Sequence, residues 1–385
     1  MLTRRERLML TLRGELVDRP AVSFYEIGGF KVDPQDPDPF NIYNAPDWRG
    51  LLQLAEQRTD LIRMMSPVRA RSVDPTGSAS SQLQREFFKE ESCKRDNSLL
   101  TRTTVTAAGR TMTQTTRRDR DLDTVWTTEH LLKNTDDLKA YLQIPDEAFA
   151  ETVDVSAIEA EEAELGDRGI VMIDTEDPLC AAASLWSMED YTIIAMTEPA
   201  LFHQLLEKMA RRIHERTQLV SGLLPGRLWR IYGPEYATPP YLPTHLFEQY
   251  VVRYAGPMIR MIQAGGGFAR IHCHGRLKDV LDLIVAMEPD ALDPIEPPPQ
   301  GDVELSYVRE RYGEKLVLFG NIEIADVENL SPDRFEEKVK RALAEGSAGT
   351  ERGFVLMPSA SPYGRTITST TMRNYETMVH LVETW

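Results

Sequence analysis

Two histidines one residue apart, His272 and His274, stand in the stretch GFARIHCHGRLKDV, behind a run of three glycines and directly before Gly275. The chain has only seven histidines, so this pair is the first place to look for chemistry. In an extended strand, side chains alternate between faces, and Phe268, Arg270, His272 and His274 share one of them. Neighbours on one face lie about 6–7 Å apart at the backbone, close enough for both imidazoles to reach one metal ion. The other face, Ala269, Ile271 and Cys273, is small and apolar, suited to packing under helices. The carboxylates Asp174, Glu235, Glu296 and Glu323 each close a short apolar run as well. His272 and His274 beside the carboxylates Glu235 and Glu296 point to a metal, and histidine and carboxylate ligands with an open position suit Zn²⁺ best and are compatible with Fe²⁺ or Mn²⁺. The plainer reading is a pair of hydrogen-bonded core histidines, or one general base beside a bystander. For Asp174 and Glu323 it is simple helix capping.

Weaker candidates surround these. Arg270 either binds a substrate carboxylate or pairs with an internal acid. Tyr25 and Glu26, in SFYEIGG, are candidates to face a substrate, with a core role as the alternative for Tyr25. The segment EPPPQG after Glu296 reads as a stiff connector, and Met172, Trp186 and Trp229 as core or pocket wall.

Regular elements must hold such residues in place. From 168 to 385, the apolar runs GIVMID, RLWRIYGPE, ARIHCHG, ALDPIEP, LVLFGNIE and GFVLMPSA alternate with helical patterns. Single helices between strands imply parallel pairing through right-handed crossovers. With one or two further units near the N-terminus, the pattern predicts an α/β chain folded as a (β/α)8 TIM-type barrel, whose strand ends converge on one face. No G-x-G-x-x-G follows a strand, which disfavours an open dinucleotide-binding sheet. RPAVSFYEIGGF reads as a buried strand and DWRGLLQLAEQRTDLIRMM as a helix. Residues 66–165 read as an insertion within a single 1–385 domain, with threonine-rich antiparallel hairpins to about 130, then acidic helix on both sides of Pro145. Charged residues 117–123 fit a solvated edge or loop. At the start, Thr3 and Glu6 form a capping box, Leu8 and Leu12 share a face, and Gly14 ends a helix.

Composition narrows the function. Forty-four basic against sixty acidic residues leave a net charge of −16, which argues against nucleic acid or an anionic membrane as partner. Cys93, Cys180 and Cys273 are far apart and form no C-x-x-C pair, so a reducing cytoplasm is the expected compartment. No apolar run approaches a membrane span. A symmetric homodimer is compatible with this surface.

TRRERLMLTLRGELVDRPAV, RIHCHG, GNIE at 320–323 and RGFVLMPSASPYG together resemble the uroporphyrinogen decarboxylase superfamily, in order along nearly the whole chain. That resemblance implies a (β/α)8 barrel and an enzyme, either a decarboxylase or a cobalamin-linked methyltransferase. True decarboxylases carry an arginine-rich RQAGR after the first strand and a GHG motif near the end. This chain has SFYEIGGFKVDP and PSASP there. The methyltransferase branch binds zinc through H-x-C and a later cysteine. His272 matches the histidine, His274 replaces the first cysteine, and Ser359, Ala360 and Ser361 occupy the segment of the second. The implied function is a metal-dependent methyltransferase, its metal held by His272, His274 and Glu235, moving a methyl group between a small substrate, methoxylated or bearing a hydroxyl or carboxylate, and a corrinoid carried by a partner protein. Glu296 would be its catalytic acid, a further ligand or an orienting group. Two other classes stay open: a metal-free decarboxylase of a carboxylated substrate, and a non-catalytic barrel that binds a small ligand or corrinoid.

Overall fold

The computed structural model describes residues 2–29, 31–33, 35–68, 79–349 and 353–385. Its strands are β1 (Ala21–Val22), β2 (Leu61–Met65), β3 (Phe88–Arg95), β4 (Ser98–Ala107), β5 (Arg110–Asp119), β6 (Val125–Glu129), β7 (Gly169–Glu176), β8 (Leu228–Tyr232), β9 (Phe268–His272), β10 (Ala291–Asp293), β11 (Val317–Ile322) and β12 (Phe354–Pro358). Eight pair in parallel, in the order β1-β12-β11-β10-β9-β8-β7-β2. Apart from the antiparallel β3–β6, each strand lies beside its neighbour in sequence, as in a (β/α)8 barrel. The two ends of that order meet at Asp60, whose backbone N–H donates to the Val22 carbonyl at 2.7 Å. Its carboxylate accepts from the Val22 N–H at 3.0 Å.

Side-chain alternation divides the core in two. Ile62, Met64, Ile170, Met172, Leu228, Ala291, Val317, Phe319, Val355 and Met357 fill the barrel interior. Val171, Ile173, Trp229, Ile231, Ala269, Ile271, Cys273, Leu292, Leu318 and Leu356 pack outward, in one cluster with the helices. Cys273 therefore points away from the mouth, as its place in the alternation predicts. The N-terminal helix Arg4–Arg13 starts with the Thr3–Glu6 capping box and ends at Gly14, φ 71°. Its Leu8 and Leu12 join the interior cluster and plug one end of the barrel.

Two expectations near the N-terminus are corrected. The helix of DWRGLLQLAEQRTDLIRMM stops at Arg58, and Leu61–Met65 form β2. The break follows from Asp60, fixed by Arg7 at 2.6 Å and Arg19 at 2.9 Å, beyond which Ile62 and Met64 turn into the barrel. In RPAVSFYEIGGF only Ala21 and Val22 join a ladder. The chain then turns, with Tyr25 at φ 53°, a backbone region that costs a bulky residue strain.

The hairpins form one antiparallel sheet in the order β3-β4-β5-β6; residues 69–78 of that stretch lie outside the described residues. Ala108 (φ 48°) and Gly109 (φ 75°) make the two-residue turn between β4 and β5, the left-handed pair that matches strand twist. Of the charged residues 117–123, Arg117–Asp119 belong to β5. The rest loop back to the barrel mouth, where Leu122 bridges Gly364 just past β12 and Tyr43 donates its hydroxyl to Asp123 at 3.0 Å. Acidic helices Thr135–Leu142 and Ser156–Leu165 flank Pro145.

Asp60 joins the plug helix, β1 and β2 while fully buried. Replacing it by Ala strands the buried Val22 N–H and takes one of two carboxylates from Arg7, which keeps Asp18, so urea unfolding should show a loss of about 1–3 kcal/mol. A loss below about 1 kcal/mol, the range of an exposed pair, would contradict this closure.

Candidate active site

The interior face that carries apolar side chains low in the barrel turns charged one layer below the mouth. Arg230 on β8 grips Asp174 on β7 with two nitrogens, Nε to Oδ1 at 2.6 Å and Nη2 to Oδ2 at 3.1 Å. Its remaining Nη1 reaches the Tyr25 hydroxyl. Arg270, only 1% exposed, sets its Nε 3.0 Å from Asp293 Oδ1, with its guanidinium over the Phe319 ring at 4.8 Å. Asp174 therefore caps no helix, and Arg270 pairs with an internal acid. Both arginines are neutralised within the barrel.

On this layer stand the histidines. The other oxygen of Asp293 faces His272 Nδ1 at 2.7 Å, and Glu296 Oε1 faces His274 Nδ1 at 2.7 Å. A carboxylate can only accept, so each Nδ1 carries a proton, and in the neutral ring Nε2 is then the atom that keeps its lone pair. The two rings lie edge to face with centroids 4.6 Å apart. Tyr25 stacks on His272 at 5.9 Å. Neither Nε2 belongs to the sealed, unpartnered polar atoms of the described residues.

The environments push the two imidazoles in opposite directions. Burial drives His272 down to about 4, against the pull of Asp293, so it is neutral at pH 7. Burial also opposes charge on His274, but its hydrogen bond to Glu296 outweighs this and raises it. Burial alone would raise Asp293; Arg270 and His272 override it and hold the carboxyl at about 2. Glu296 is likewise held low, the His274 contacts overcoming burial. Its second oxygen accepts from the Gly275 N–H at 2.7 Å, which accounts for both oxygens. Glu296 is built as an orienting group.

The remaining predicted residues ring the mouth. Ser361 donates to Glu26 at 2.8 Å, and burial raises the Glu26 carboxyl. Glu235 sits just past β8 and accepts from the Gly233 N–H at 3.0 Å, with its carboxyl raised by burial. Among the described residues no three of His, Cys, Asp or Glu are gathered closely enough to hold a metal. The structure thus joins His272 to His274 and leaves Glu235 turned to its own backbone. Glu323 occupies the cap position of helix Ile324–Asn329 but makes no capping bond. Ser359 donates instead to its Oε2 at 3.2 Å, and burial, then the Glu296 charge, raises it to about 7. Surface cavities of 390, 300 and 410 Å³ are lined by other residues.

Sequence reasoning missed Arg230 and Asp293, and saw in Ser361 only the absence of a cysteine. Asp293 stands directly opposite His272 in the β9–β10 register, and Arg230 opposite Arg270 in β8–β9. Alternation along ALD and LWR carried that signal, because both share a face with apolar interior residues.

A (β/α)8 barrel with carboxylate-oriented imidazoles at its C-terminal mouth has the layout of barrel enzymes. The family model of uroporphyrinogen decarboxylase (URO-D) matches residues 124–385, and the chain belongs to this family. A methyltransferase from Methanosarcina mazei aligns over 100% of this chain and 99% of its own length, with 15% identity and TM-score 0.59; that likeness establishes the fold. A mannanase from Bacillus subtilis, at 9% identity and TM-score 0.40 over 98% of this chain and 94% of its own, carries no argument. No curated protein matches the chain. No helix among the described residues is long and apolar enough to cross a membrane.

Two predictions follow from these charges. Asp293→Asn leaves the buried Arg270 uncompensated and should cost about 3–5 kcal/mol in urea unfolding, whereas less than about 1 kcal/mol would mean the pair is idle. Glu323 titrates higher folded than its ordinary 4.5, so the native chain holds that proton more tightly. The stability it contributes is complete below about 4.5 and is lost as pH rises through about 7. Glu323→Gln should therefore exceed wild type by about 1–3 kcal/mol at pH 8. Its advantage should vanish at pH 4, and an equal advantage at both would refute the shift.

Proposed function

We propose that this chain is a metal-dependent methyltransferase that moves a methyl group between a small, methoxylated substrate and a corrinoid carried by a partner protein. The observation that carries the reading is the pair of imidazoles whose Nδ1 atoms are each tied to a carboxylate, 2.7 Å from Asp293 and from Glu296. Metal-binding histidines are oriented in this way, the outer hydrogen bond fixing tautomer and direction. Two Nε2 atoms are donors of the kind a divalent metal, preferably Zn²⁺, would take, although Glu235 stands too far round to complete a set as it is placed. Glu235 would complete the set only by leaving the Gly233 N–H. When bound, the metal supplies Lewis acidity to the heteroatom that bears the methyl group.

The chain's own residues do the rest. Asp293 and Glu296 keep the rings from rotating, and Tyr25 walls the site beside His272. Ser359 and Ser361 are both committed to carboxylates. The ligands are then nitrogen and oxygen, a harder set than thiolate and one suited to an oxygen-bearing substrate. Arg230 and Arg270 are each paired with an aspartate, leaving neither cation free for a polycarboxylated tetrapyrrole. That disfavours the decarboxylase reading.

Metal analysis of the purified protein beside a His272→Ala/His274→Ala variant tests the proposal. About one zinc per chain, lost in the variant while circular dichroism is retained, is expected. No metal in wild type, even after zinc is supplied, would overturn it and favour metal-free decarboxylation.

A further inference from the structure

The antiparallel sheet beside the barrel ends in an uncovered strand. β3 pairs with β4 along one side, and among the described residues no strand pairs with its other side. The ladder with β4 runs from Phe88 to Arg95 without a bulge, and every residue from Lys89 to Arg95 is exposed. The opposite edge, β6, is shorter and its ladder slips between Thr115 and Thr116, an irregularity that turns an edge away from partners. β3 has no proline and offers a straight row of backbone groups to another strand. Charges commonly keep such an edge single. Here, however, Glu90 and Glu91 precede the uncharged Ser92 and Cys93, and Lys94 and Arg95 follow them. Acids toward one end and bases toward the other match their own antiparallel copy.

Hydrogen-bond phase restricts how two copies can meet. Asp96 (φ 51°) and Asn97 form a two-residue turn closed by Arg95 and Ser98, a pair that exchanges both backbone bonds. The odd-numbered residues of β3 therefore bond to β4, and Phe88, Glu90, Ser92 and Lys94 aim their N–H and C=O groups at the free edge. Two-fold pairing must then be centred on a single residue. Centring on an exposed charge sets it against its own copy. Centring on Ser92 faces Lys89 with Arg95. Centring on Cys93 faces Glu91 with Arg95 twice and Ser92 with Lys94 twice. In that register Glu90 reaches only the turn of the second copy, at Asp96, with Lys94 diagonal to it. Glu91 now has only Lys89, at 2.7 Å and with both side chains exposed, a contact of little worth that it can share.

From this pattern we infer that two copies of this chain dimerise edge to edge through β3, about a two-fold axis at Cys93. Two four-stranded sheets become one continuous sheet. Each Ser92–Lys94 pair exchanges two backbone hydrogen bonds. The Glu91–Arg95 and Cys93–Cys93 pairs are of the non-hydrogen-bonded kind, with Cα atoms about 4.5 Å apart and side chains close. The interface is independent of the chemistry proposed for the barrel mouth.

Sedimentation of the full chain over about a hundredfold range of concentration tests this, because mass action must reveal a dimer. Wild type should pass from monomer to dimer, and a short bismaleimide should couple two chains through Cys93, with Cys93→Ser as the uncoupled control. Glu91→Arg opposes Arg95 with a like charge twice and should weaken the dimer about tenfold or more. Glu91→Arg/Arg95→Glu restores the match and should recover both the dimer and the coupling. A monomer at every concentration would overturn the inference. So would a dimer that Glu91→Arg leaves unchanged, or one that does not couple at Cys93.

Discussion

A buried charge pair, Arg270 with Asp293, sets the terms for everything above it in the barrel. Neither side chain is more than 1% exposed. Charges so placed are tolerated only when paired, because desolvation costs each several kcal/mol. Asp293 meets that condition with one oxygen and spends the other on His272 Nδ1. A group required for electrostatic balance thus also dictates an imidazole tautomer. Arg230 repeats the device on the neighbouring strand, gripping Asp174 and the Tyr25 hydroxyl, and Tyr25 in turn stacks on His272. The ring is held from two sides by residues whose own positions are fixed by charge.

Above this floor the electrostatics separate the carboxylates by role. Asp293 and Glu296 are held ionised and accept hydrogen bonds. Glu235, Glu26 and Glu323 are pushed upward by burial. One mouth therefore contains both fixed acceptors and groups able to carry protons. Environment, not residue type, assigns the parts, which is how neighbouring acids come to do opposite work.

The barrel was legible because its signal is periodic. Six strand runs with intervening helices reappear in the structure, trimmed at their ends, and Ala269, Ile271 and Cys273 pack outward as the alternation of ARIHCH requires, with His274 just past the end of β9. The hairpins were legible from threonine-rich alternation and the Ala108-Gly109 turn. What could not be read was contact between distant segments. The helix assigned through Leu61–Met65 failed because Asp60 is stopped by Arg7 and Arg19, residues 53 and 41 positions away. Asp293 went unnoticed because its meaning lies in a register opposite His272. Glu323 looked like a helix cap because local sequence cannot tell a capping carboxylate from one buried against a serine of the next strand's end. Ser359 and Ser361, marked only by the cysteine they lack, prove to be the partners of Glu323 and Glu26.

The central claim is that His272 and His274 keep unprotonated Nε2 atoms because carboxylates hold their Nδ1 protons. Long-range proton–nitrogen correlation NMR of the metal-free protein at pH 8 reads this directly. Both rings should show the Nδ1–H tautomer, and Asp293→Asn should disturb His272 while leaving His274 largely as it was. An Nε2–H tautomer for either ring, or averaged signals of freely exchanging rings, would contradict the account.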